Sequence, residues 1–95
     1  MERQLKPENG LSVRVCRSNR EVTAADIRRA HKAAIDWLLR DGVTDFKAAQ
    51  QSYESGIGNH GAMSWELAQV AANYALNKSH PDDSAYCEIS AETIQ

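Results

Sequence analysis

Ninety-five residues, 42% of them apolar but only six aromatic, make a single domain near the lower size limit for a self-sufficient core, and favour close helix contact over a thick β-sandwich. The net charge of −2 hides a polarity along the chain, since residues 1–40 carry +4 and residues 41–95 carry −6. No basic leader followed by an apolar run opens the sequence and no stretch approaches the length of a membrane span, so a soluble, cytoplasmic protein is expected.

Residues 1–10 read as a polar, flexible lead-in ending in a Glu8-Asn9-Gly10 turn, because Asn-Gly tolerates positive φ. LSVRVC, residues 11–16, alternates Leu11, Val13 and Val15 with Ser12, Arg14 and Cys16, the period of a half-buried strand. Thr23 and Asp26 form a capping box that opens a helix over residues 24–40. Its inner face is Ile27, Ala30, Ala34, Trp37 and Leu38, with Arg28, Arg29, Lys32, Asp36 and Arg40 outside. Asp41-Gly42 ends it.

A second helix is expected after Thr44 or Asp45, running to about Glu54 with Phe46, Ala49 and Tyr53 inward. A third begins at Ser64 as N-cap and continues to about Lys78. It has two apolar stripes, one of Leu67, Val70, Ala71 and Tyr74, the other of Trp65, Ala68, Ala72 and Leu76. A helix greasy on both sides is either the central helix of the domain, which is the expectation, or meets a partner chain, which would make a homodimer through residues 64–78. AYCEIS, residues 85–90, has strand alternation and could pair with residues 11–16; residues 91–95 form a flexible tail. The expected fold is therefore mainly α: three helices, the third central, with at most one short strand pair from the N- and C-terminal segments.

Chemistry-bearing motifs are sparse. Gly56, Gly58 and Gly61 spell G-x-G-x-x-G, but the preceding FKAAQQSYES reads as a polar helix, whereas a dinucleotide loop needs a buried strand there. The glycines are expected to turn one helix into the next, with Asn59 and His60 presented to a partner if the loop has a role. His31, His60 and His80 have no zinc spacing, and His31 reads as a packing residue. Cys16 and Cys87 lack a CxxC neighbour and are expected as reduced thiols. No base, nucleophile and orienting group converge by spacing, so no catalytic residue, cofactor or metal is expected.

Two binding readings remain. Gly42-Val43-Thr44 ahead of Lys47, Gln50 and Gln51 resembles the turn and second helix of a helix-turn-helix unit, which implies a small DNA-binding transcriptional regulator. Against it, that helix carries a single cation. The favoured reading is a non-enzymatic interaction module, a small regulator or inhibitor of the sort phages and other mobile elements carry, which binds a host protein complex through charged surfaces. The partner-binding residues expected are Arg14, Arg17, Arg20, Arg28, Arg29 and Lys32, since arginine makes bidentate contacts and keeps its charge. The acidic surface around Asp41, Asp45 and Glu54 is the alternative site.

Overall fold

A computed structural model describes residues 10–56, 61–80 and 85–92. The chain runs β1 (Leu11–Ser18), α1 (Ala24–Arg40), α2 (Phe46–Ser55), α3 (Ala62–Leu76) and β2 (Ala85–Ala91). The expected strand pair is present, antiparallel, with Leu11 opposite Ala91, Val13 opposite Ile89 and Val15 opposite Cys87. With that sheet as part of the fold, the domain is α+β rather than mainly α. The register shifts between Val15 and Arg17, leaving Cys16 as the bulged residue on the exposed side.

α1 starts where the capping box places it: Thr23 Oγ1 accepts from Asp26 N–H and Asp26 Oδ2 accepts from Thr23 N–H, both at 3.2 Å. It ends at Asp41, with Gly42 beyond at φ +78°. Its buried face includes Ile35 and His31 besides the residues expected, while Trp37 is only partly covered, with the Arg40 guanidinium 5.0 Å from its ring. His31 Nε2 lies 2.9 Å from the Leu11 carbonyl, so α1 runs back along β1.

α2 is capped by the Asp45 side chain on Ala48 N–H at 3.0 Å and buries Phe46 and Ala49; Tyr53, expected inward, is 44% exposed. α3 opens two residues before Ser64. Its N-cap is Gly61 at φ +93°, and the Ser64 hydroxyl instead donates to Asp41 Oδ2 at 2.8 Å, tying the start of α3 to the end of α1. Only glycine suits position 61, because a Cβ there would also meet Ala49 Cβ and Val43 Cγ2 at 3.2 Å.

α3 is central, packing on α1, α2 and β2. Fully buried Ala30 and Ala34 of α1 and Ala68 and Ala72 of α3 let helices approach closely, as a core poor in rings requires. Only one of its two stripes is covered, however. Trp65, Ala68, Ala72 and Leu76 are buried, whereas Val70 and Tyr74 stand 60% and 74% exposed. Residues 1–9, 57–60, 81–84 and 93–95 lie outside the described residues, and with them most of the expected lead-in, tail and glycine loop, including Gly58, Asn59 and His60. Gly56 and Gly61 border that loop, both at positive φ, one capping α2 and the other α3, as a corner between helices demands.

Candidate functional site

The six cations expected to bind a partner divide into two groups. Arg20 and Arg29 converge on Asp26, whose oxygens they meet at 3.2 and 2.8 Å. Arg20 also donates to the Leu76 carbonyl at 3.0 Å, and Arg29 to the Ala75 carbonyl at 2.8 Å. The two guanidiniums therefore cap the C-terminal end of α3, where orphan carbonyls and the negative end of the helix dipole favour cations. Asp26 joins that cap to the start of α1. Burial works against its charge, but hydrogen bonds from Thr23, Arg29 and Arg20 outweigh it and hold the carboxyl below its ordinary value. Arg20 and Arg29 are engaged inside the fold, with the Arg20 side chain only 8% exposed.

Arg14, Arg17, Arg28 and Lys32 all reach solvent. Arg14 meets Glu88 at 3.4 Å across the outer sheet face, and Lys32 meets Asp36 at 2.9 Å along α1; both pairs are solvated and hold their cations weakly. Arg17 lies over the Tyr86 ring at 5.6 Å, which leaves its guanidinium edge free to bond. Arg28 is exposed on the second turn of α1 and meets no carboxylate among the described residues. Arg17 lies near the end of β1 and Arg28 on the second turn of α1, with residues 19–23 connecting the two elements.

The outer sheet face and α2 border a cleft of about 500 Å³ lined by Arg14, Gln50, Tyr53, Glu54, Tyr86, Glu88 and Glu92, among others. Its carboxylates already accept hydrogen bonds: Glu88 from Arg14 and Cys16, Glu92 from Ser12, Glu54 from Gln50. No group of three His, Cys, Asp or Glu side chains with metal-holding geometry occurs among the described residues. The acids of the alternative site are likewise engaged, Asp41 with Ser64 and Asp45 as the cap of α2. Of the residues in the helix-turn-helix reading, Lys47 and Gln51 are exposed, while Gln50 Oε1 accepts from Ala91 N–H at 2.8 Å and its amide nitrogen donates to Glu54.

That Gln50 contact belongs to a feature missed in the sequence. The edge of β2 turned away from β1 is covered by side-chain amides. Asn77 bonds both backbone groups of Ala85 at 2.7 and 2.8 Å, Asn73 both of Cys87, and Gln69 the Ile89 N–H at 2.9 Å and the Cys87 carbonyl. Four helical residues rise about 6.0 Å and two strand residues about 6.7 Å, so a row at i, i+4, i+8 can serve alternate strand residues. The mismatch accumulates to roughly one methylene by Gln69, where the side chain is one methylene longer. The signal was present, since Gln69, Asn73 and Asn77 are amides spaced by four in a stretch with no charge between Glu66 and Lys78. They act structurally, closing an edge that would invite another strand.

The cysteines fall on opposite sides of the sheet. Cys87 is fully buried, and burial pushes its thiol up to about 12; Cys16 is exposed and donates to Glu88 Oε1 at 3.0 Å. No helix among the described residues is long and apolar enough to cross a membrane. No protein-family model matches the chain, and comparisons with curated proteins and with solved structures find no match.

Proposed function

We propose that the protein is a non-enzymatic interaction module, a small regulator or inhibitor that docks on an acidic surface of another protein through Arg17 and Arg28, with Arg14 and Lys32 beside them. The observation that carries this reading is the division of the cations. Asp26 takes Arg20 and Arg29 into the fold, while Arg17 and Arg28 stay at the surface without a carboxylate partner among the described residues. A guanidinium so placed keeps its capacity for bidentate contact with a carboxylate, and the two flanking exposed pairs can exchange partners at little cost. The +4 charge of residues 1–40 adds long-range attraction.

The test is affinity capture from nuclease-treated lysate of the host cell, comparing the wild type with Arg17→Glu/Arg28→Glu/Lys32→Glu. Arg29 is left out because its guanidinium supports α3. A protein retained by the wild type and lost from the folded triple variant supports the reading; equal retention refutes it. A salt-sensitive mobility shift on duplex DNA, lost in Lys47→Glu/Gln51→Glu, would instead favour the DNA-binding reading.

A further inference from the structure

We propose that the outer stripe of α3 is the seam of a homodimer, in which two copies of α3 pack antiparallel about a two-fold axis. The stripe is Met63, Leu67, Val70 and Tyr74, exposed by 73%, 39%, 60% and 74%. Trp65, Ala68 and Ala72 enter the core, Gln69, Asn73 and Asn77 bond β2, and Glu66 stands exposed between that amide row and the stripe. Four apolar side chains are thus left in one row on the helix best supported by the rest of the fold.

Three properties of the row select a second copy as its occupant. The first is area. At those exposures the four side chains present roughly 500 Å², toward the upper end of the largest patches monomers carry, and two copies together bury at most about 1,000 Å², the size of a weak, reversible interface. The second is spacing. Steps of four, three and four are those of a helix-packing seam, and they read the same in either direction. An antiparallel two-fold therefore sets Met63 against the partner subunit's Tyr74 and Leu67 against the partner subunit's Val70, so each copy supplies what the other needs. The third is charge. No charged residue of α3 lies between Glu66 and Lys78, so the central pair Leu67 and Val70 is apolar, with the exposed Glu66 bordering the row beside Val70, and the antiparallel helix dipoles oppose one another favourably. Arg14, Arg28 and Lys32 lie outside the row, whereas Arg17 lines one cleft with Glu66 and Val70 and so borders the seam.

Sedimentation equilibrium of the full chain tests this over concentrations from about 1 µM to about 1 mM. The expected result is a reversible monomer–dimer equilibrium in the wild type. Val70→Glu and, separately, Leu67→Lys should each weaken it by at least about 30-fold, since each sets a charge beside the axis. An equimolar mixture of these two variants should recover a dimer, because the new cation on one copy faces the new carboxylate on the other. Val70 is exposed enough for the substitution to leave the thermal midpoint of the monomer nearly unchanged, and Tyr74→Lys provides a second disrupting variant if it does not. A wild type that stays monomeric throughout overturns the proposal, as does a dimer indifferent to Val70→Glu and Tyr74→Lys. Either result leaves the capture experiment on the cations to be decided by itself.

Discussion

Asn73 of α3 holds both backbone groups of Cys87 in β2, its Oδ1 accepting from the N–H at 2.8 Å and its Nδ2 donating to the carbonyl at 3.0 Å. One side chain thus stands in for one residue of a missing neighbouring strand. Asn73→Ala removes both bonds and leaves the Cys87 N–H without that partner, a loss of about 2 kcal/mol. Chemical denaturation should show it, and exchange of the Cys87 amide hydrogen should quicken by a similar free energy. Gln51→Ala, on the exposed side of α2, should change neither. An Asn73→Ala variant as stable as the wild type would mean that β2 is held by its pairing to β1 and by core packing alone.

Asp26 predicts an acid limit. Its carboxyl titrates lower in the folded chain than in the unfolded one, so the stabilisation is fully present above the ordinary value of 3.8 and is lost as pH falls through the depressed folded value. Stability should therefore drop steeply below about pH 4. Asp26→Asn should remove about 3 kcal/mol at neutral pH by leaving Arg20 buried beside a neutral group, and should flatten the stability curve below pH 4. Parallel curves for wild type and variant would assign the acid limit to other carboxylates.

The thiols should behave differently. Cys87, fully buried and titrating at about 12, should react with an aromatic disulfide reagent only when the chain unfolds. Cys16 should react in the native protein, but slowly, because desolvation and then the hydrogen bond to Glu88 raise its pKa. Glu88→Gln should speed that reaction. Two native thiols reacting at one rate would contradict the placement of Cys87 on the inner sheet face.

Much of the fold is legible locally. Thr23 and Asp26 announce the start of α1, Gly42 its end, and the alternation of residues 11–16 the strand, because capping and side-chain period act over a few residues. The errors are tertiary. Ser64 is a good N-cap by type, yet α3 extends beyond it because Asp41, far away in sequence, takes its hydroxyl. Tyr53 and Tyr74 sit at helical spacing from buried residues but at the margin of what the neighbouring elements cover. Of the candidate site, Arg17 and Arg28 could be read as surface cations, whereas the engagement of Arg20 and Arg29 depends on the end of α3 arriving beside the start of α1. Charge counted along a sequence does not reveal which cations the fold consumes.

The most direct test of docking through Arg17 and Arg28 is the association rate of the captured partner with wild type and with Arg17→Glu/Arg28→Glu/Lys32→Glu, across a series of salt concentrations. For the wild type, a fast association that slows steeply with salt is expected; for the triple variant, a rate lower by roughly tenfold at low salt and nearly flat with salt. Identical rates and identical salt dependence, with both proteins folded, would place the docking surface elsewhere.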